Sequence, residues 1–186
     1  MQFNTHSHLE GRHAFLSASK GHWINYDEKK LADSYYTSMA AALGTRLHAF
    51  AAEAISLGVR LQGRKTLAAF VNDAIGFKMT PEQILYYSEH AFGTADAISF
   101  NPEKKSLRIH DLKTGKNPCG FRQLEIYAAF FCLEYRVKPH DIWISMRLYQ
   151  NDEVQEAIAD PDTIVHIMDR VVTYSKKIDE VRALSL

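Results

Sequence analysis

The sequence predicts an α/β fold: a mixed sheet with helices packed against it. Two observations carry that prediction. Segments with helical and strand-like patterns follow one another in the order helix, helix, three strands, helix, strand, helix. Two of the strand candidates also each carry one inward carboxylate, the first among small and apolar neighbours. These are Gly93-Thr94-Ala95-Asp96-Ala97-Ile98 and Ile109-His110-Asp111-Leu112-Lys113-Thr114-Gly115.

Each element has a local reason. Residues 1–33 read as irregular, with a turn or strand at Ala14 to Ala18. Residues 33–58 read as a long helix with Asp33 or Ser34 as N-cap. Leu43, Leu47, Phe50, Ala51, Ala54 and Leu57 recur there at helical spacing. Residues 64–75 make a second, shorter helix. Thr80 to Gln83 has the composition of a helical turn, and Ile84 to Phe92, rich in β-formers, reads as a strand. Thr94 to Phe100 is the second strand, Asn101 to Lys105 a turn, and Leu107 to Lys113 the third strand. Residues 119–136 form an amphipathic helix. Asp141 to Tyr149, after the break at Pro139, is the fourth strand. Asp160-Pro161-Asp162 opens a last helix to about residue 183, with Pro161 suited to the first helical position.

Composition narrows the function classes. The 186 residues suffice for one domain with a sizeable core. Lys+Arg and Asp+Glu balance at 22 each, so no net field draws this chain to nucleic acid. Any DNA binding acts through a local basic surface and a metal. The two cysteines, Cys119 and Cys132, are too few for a four-cysteine zinc or iron–sulfur site. They fit a reduced compartment. No apolar window approaches the length of a membrane span, and Met1 to Lys20 lacks the apolar core of a signal peptide. A cytoplasmic protein without membrane contact is expected.

Side chains at i and i+2 of a strand share a face, so Asp111 and Lys113 point together while Leu112 points into apolar packing. A short hairpin separates Asp96 from Asp111 and can set them side by side. Two acids and an ammonium at one spot are what metal-assisted phosphodiester hydrolysis needs. Gln123 and Tyr127, four apart on the following helix, share its face. His48 sits on the long helix. Taken singly, each has a plainer reading: strand-end charges, a surface glutamine, a half-buried tyrosine, a helix histidine.

Together these residues resemble the PD-(D/E)XK nuclease superfamily, in its RecB-like and phage-type exonuclease branch. The matching pattern is Gly44-x-x-x-His48, Gly93-x-x-Asp96, Asp111-x-Lys113-Thr114-Gly115 and Gln123-x-x-x-Tyr127. Ser17-Ala18-Ser19 is similar to the family's N-terminal serine segment. The motifs span residues 17–127 in family order. The resemblance implies a restriction-endonuclease-like core, a central mixed β-sheet flanked by helices, in a single domain over residues 1–186.

It also implies roles. Asp96 and Asp111 would hold Mg2+ or Mn2+, with His48 and the Leu112 backbone carbonyl as further ligands. Lys113 would orient or activate the attacking water, and Gln123 and Tyr127 would position the DNA strand or the lysine. Ser17 and Ser19 would contact DNA beside Gln123 and Tyr127; Lys116 and Arg122, which flank the site in sequence, are the favoured phosphate contacts. Glu53 and Glu89 are secondary acids. Relatives with an iron–sulfur cluster carry four cysteines, so none is expected here.

The implied activity is metal-dependent DNA exonuclease action on linear ends with little sequence specificity. It would serve recombination or end processing, in the bacterial host cell if the chain is phage-encoded. Alternatives are an endonuclease of the same fold, in defence or repair, and a non-catalytic DNA-binding subunit of a larger nuclease complex. A single-strand annealing protein as partner and a ring-like homo-oligomer follow by family analogy alone.

His6, His8 and His13 read as a solvated start. Trp23 and Tyr26 read first as packing residues, with base stacking as the other use.

Overall fold

The computed structural model describes residues 4–184. Two compact units divide between Thr45 and Arg46, and helix α1 (Glu28–Leu57) contributes to both.

In the N-terminal unit the chain makes 3-10 turns at Ser7–Leu9 and Ala18–Asn25. Ala14 to Ala18, expected as a turn or strand, is a turn. The Trp23 indole N–H donates to the Ser17 carbonyl at 2.8 Å. Phe15 meets Tyr35 edge-on, with ring centroids 5.1 Å apart. Helix α1 starts at Glu28, ahead of the expected 33. The capping residue is Asp27, whose Oδ1 accepts from the Lys30 N–H at 2.7 Å, rather than Asp33 or Ser34.

The C-terminal unit is a five-stranded sheet in the order β1-β2-β3-β4-β5. Its strands are β1 (Thr80–Ser88), β2 (Ala91–Asn101), β3 (Ser106–Leu112), β4 (Trp143–Gln150) and β5 (Glu153–Ile158). Only β3 and β4 pair in parallel, which requires a crossover, supplied by α3 (Arg122–Tyr135). The other pairs are antiparallel, so the sheet is mixed, as expected.

Helix α3, with α4 (Pro161–Leu184) against it, covers one face. The core there includes Leu107, Ile109, Leu124, Ala128, Phe131, Met146 and Ile164. Helix α2 (Thr66–Gly76) and the C-terminal part of α1 cover the other, around Ala51, Ala54, Ile55, Phe70, Val71, Leu112 and Tyr149. On α1 the buried line therefore runs through Ala51, Ala54 and Ile55, while Phe50 and Leu57 from the expected stripe are exposed.

Three sequence expectations change. Thr80 to Gln83 opens strand β1, not a helical turn. The expected strand from Ile84 to Phe92 breaks at Glu89-His90, where the chain turns into β2. A fifth strand, unexpected from the sequence, follows β4 through Asn151-Asp152, both at positive φ (53° and 61°). That pair makes a two-residue hairpin connection. β5 is exposed along nearly its whole length and so lacks the apolar alternation that marks a strand.

Candidate functional site

β3 sets the geometry. Leu107 and Ile109 enter the core beneath α3, so Asp111 and Lys113 emerge on that same side. His110 and Leu112 turn to the opposite layer, where the His110 ring meets Phe77 edge-on at 5.7 Å. In the β2–β3 ladder Ala97 pairs with His110 and Ile98 with Ile109, which sets Asp96 opposite Asp111. In β1–β2, Pro81 pairs with Ala97 and Gln83 with Ala95, which sets Glu82 opposite Asp96. Three carboxylates thus lie abreast on three neighbouring strands.

Asp96 anchors the group. Its Oδ2 accepts from the Leu112 backbone N–H at 2.7 Å, and its Oδ1 lies 3.3 Å from His48 Nδ1 on α1. Hydrogen bonding to Asp96 raises the His48 pKa against the lowering effect of burial. One donor atom each from His48, Glu82 and Asp96 falls within 4.8 Å of the others, a spacing that one cation can bridge. Glu82 occupies left-handed backbone at φ 49°. For a residue with a Cβ that costs about 1–2 kcal/mol, and such strain concentrates at functional positions. Burial, then Asp96, raises the Glu82 carboxyl pKa.

Asp111 is 1% exposed. Its Oδ1 accepts from Lys113 Nζ at 3.2 Å. Its Oδ2 lies 2.9 Å from the same ammonium but outside hydrogen-bonding geometry, so among the described residues it has no donor. Burial and the neighbouring Asp96 push the Asp111 carboxyl up, while Lys113 and His48 pull it down. The Lys113 ammonium balances the charge of this buried carboxylate, while Oδ2 keeps its hydrogen-bonding capacity unused among the described residues. The donor atoms of His48, Glu82 and Asp96, with the Asp111 carboxylate opposite Asp96, are of the type that a hard divalent cation such as Mg2+ or Mn2+ takes.

Lys113 is held from two sides. Its Nζ donates to Gln123 Oε1 at 2.6 Å as well as to Asp111, and Gln123 Nε2 donates to the Tyr127 hydroxyl at 2.8 Å. Burial disfavours its charge, but Asp111 outweighs that and raises its pKa, so the side chain is an ammonium at neutral pH. Gly93 explains why Tyr127 can reach this spot. A Cβ on Gly93 would lie 3.0 Å from a Tyr127 ring carbon.

A second polar network backs β3 from the other face. The Tyr149 hydroxyl donates to Asp73 at 2.8 Å and lies 3.2 Å from His110 Nδ1; Arg147 also pairs with Asp73, at 2.9 Å. Burial, with Arg147 and Arg108 nearby, lowers His110 to about 3, which keeps it neutral.

The structure therefore brings His48, Asp96, Asp111, Lys113, Gln123 and Tyr127 to one end of the sheet. Lys116 is exposed in the loop after β3, and Arg122, also exposed, pairs with Glu125 at 3.0 Å. Ser17 and Ser19 belong to the N-terminal unit, where their hydroxyls lie 3.2 Å apart. Glu53 and Glu89 fall outside the His48–Glu82–Asp96 group; Glu89 bonds Tyr86 instead. Glu82 is the acid that sequence reasoning missed. A strand beginning at Thr80 would have placed it opposite Asp96.

Among the described residues no helix is long and apolar enough to cross a membrane. Comparison with protein-family models, with curated proteins and with solved structures finds no match for this chain.

Proposed function

We propose that this chain is a metal-dependent DNA nuclease of the PD-(D/E)XK type, acting as an exonuclease on linear ends. The observation that supports the reading is the convergence of Asp96, Asp111 and Lys113 at the end of the ladder between two paired strands, with Asp111 buried and its Oδ2 2.9 Å from the Lys113 ammonium. Lys113 pairs with Asp111 and His48 with Asp96, so these charges form one connected cluster at the end of the sheet rather than separate surface charges.

His48, Glu82, Asp96 and Asp111, with the Leu112 carbonyl, are the groups that would hold Mg2+ or Mn2+. When bound, the cation supplies charge neutralisation at the scissile phosphate and acidifies bound water. Lys113 orients the attacking water and stabilises negative charge developing on the phosphate. Gln123 fixes the lysine rotamer, and Tyr127 fixes the amide. None of these groups forms a base-reading array, so the substrate is recognised through its backbone with little sequence preference.

Digestion of linear duplex against covalently closed circular DNA, in Mg2+, Mn2+ or EDTA, tests this reading. Metal-dependent loss of the linear form alone is the expected result. Cutting of the circle would make the chain an endonuclease of the same chemistry. Survival of both forms, together with DNA binding, would make it a non-catalytic subunit.

A further inference from the structure

A small cavity of about 250 Å³ opens beside the catalytic lysine. It is lined by Leu47, Thr66, Leu67, Leu112, Lys113, Thr114, Lys116 and Asn151. Its chemistry is sorted. Leu47, Leu67 and Leu112 make an apolar floor. Lys113 and Lys116 supply positive charge, and Thr114 and Asn151 supply neutral hydrogen-bonding groups. No carboxylate is among these lining residues. The volume lies just below the roughly 300–1,000 Å³ that encloses a drug-sized molecule. The occupant is therefore small, anionic on one side and apolar on the other.

Both walls are fixed in place. On one, Thr66 and Asp152 exchange three hydrogen bonds: Thr66 N–H and hydroxyl to Asp152 Oδ1 at 2.9 and 3.0 Å, and Asp152 N–H to the Thr66 hydroxyl at 2.7 Å. This holds the β4–β5 hairpin, and Asn151 with it, against the start of α2. The Asp152 carboxylate is engaged by that contact. On the other wall, the buried amide of Gln150 donates to the Gly115 and Asn117 carbonyls at 2.6 and 2.8 Å. The loop carrying Thr114 and Lys116 is thereby clamped to the end of β4. A pocket with preformed walls loses little conformational entropy on binding.

We propose that this cavity seats the sugar–phosphate unit adjacent to the scissile bond, with the phosphate toward Lys116 and Asn151 and the sugar on the leucine floor. The assignment rests on the nuclease reading and adds to it a strand-positioning subsite. Asn151 and Thr114 are its new members. Because Lys113 lines both the cavity and the acid cluster, a unit seated here directs the next phosphodiester toward Asp111.

The test is equilibrium binding of a fluorescently labelled duplex DNA in Ca2+, run over a salt series, beside a cleavage assay in Mg2+. Lys116→Ala should weaken binding roughly tenfold and reduce the slope of log Kd against log salt by about 1. Asn151→Asp keeps a residue tolerant of the left-handed backbone but adds a negative charge, and should weaken binding by at least as much. Lys104→Ala, in the β2–β3 turn at the far end of β3, removes the same charge and should leave both quantities nearly unchanged. Thermal melts matching wild type exclude misfolding. Metal-dependent cleavage with binding insensitive to both pocket substitutions overturns the subsite alone. Pocket-dependent binding without metal-dependent cleavage overturns the nuclease reading and with it the placement beside a scissile bond, leaving a pocket that only binds the DNA backbone. Equal losses in all three variants would mean diffuse charge rather than a pocket, and would overturn the subsite.

Discussion

Lys113 Nζ donates a 2.6 Å hydrogen bond to Gln123 Oε1, tying the residue after β3 to the first turn of α3. The contact joins strand and crossover helix at the point where the proposed water would be activated. Its partner on the other side is Asp111, so the ammonium is directed by two acceptors rather than one. Gln123→Ala should lower the single-turnover cleavage rate about tenfold, the scale of a mispositioned catalytic group. Cation affinity should stay unchanged, because the amide touches no metal-binding group. Equal rates in variant and wild type would show that Asp111 alone positions the lysine.

Asp111→Asn and Lys113→Ala should each reduce cleavage by about 10²–10⁴-fold or more, the range for losing a proton-transfer or charge-stabilising group. Circular dichroism should show an intact fold in both. Burial and Asp96 already disfavour the Asp111 carboxylate, so a neutral amide of the same shape is tolerated there. Wild-type cleavage by either purified variant would refute the site assignment.

Gly93→Ala places a Cβ 3.0 Å from the Tyr127 ring and 3.7 Å from Phe130. Phe130 is in the core and Tyr127 is held by Gln123, so neither yields freely. Overpacking of this kind costs about 1–3 kcal/mol, readable by urea denaturation. Cleavage should fall alongside, through displacement of the Tyr127–Gln123–Lys113 chain. Stability loss without a change in rate would separate that chain from catalysis.

Glu82→Gln should weaken Mn2+ binding roughly tenfold in calorimetry, since a carboxylate gives way to a neutral oxygen in the proposed cation site. The substitution keeps side-chain length and the positive-φ backbone. An unchanged dissociation constant would remove Glu82 from the ligand set and leave its strain without a function.

Burial pushes the Cys132 thiol up to about 12, whereas Cys119 is partly exposed. Only the thiolate is nucleophilic, so Cys132 should resist alkylation at pH 7 and still at pH 9, both well below its pKa. Labelling should begin only when denaturant opens the core. Mass mapping after iodoacetamide treatment reads this directly; rapid modification of native Cys132 would show that α3 opens locally.

Asp96 is legible because a charge inside a small, apolar run has few structural reasons to be there, and Asp111 because it shares a strand face with Lys113. Lys113 was legible because strand alternation has a fixed period. Helical spacing puts Gln123 and Tyr127 on one face, and the family resemblance singles them out as site residues. Glu82 was not: Thr80-Pro81-Glu82-Gln83 has the local look of a helix start. Only pairing with β2 makes it strand, and that pairing is a long-range choice. β5 was missed for a related reason. Its six residues, Glu153–Ile158, bury almost nothing and gain their conformation from hydrogen bonds to β4 and the Asn151-Asp152 turn.

By itself, the sequence determined the α/β class, the order of most elements and the face on which Asp111 and Lys113 stand. These follow from periodicity, which is local. Only the tertiary structure decided that Glu82, Asp96 and Asp111 lie abreast, that His48 meets Asp96, and that Gln123 holds Lys113. Those are relations between segments, set by strand register and by how closely α1 and α3 approach the sheet. The Cβ-free Gly93 leaves room for Tyr127 of α3, but no pattern within one segment reports it.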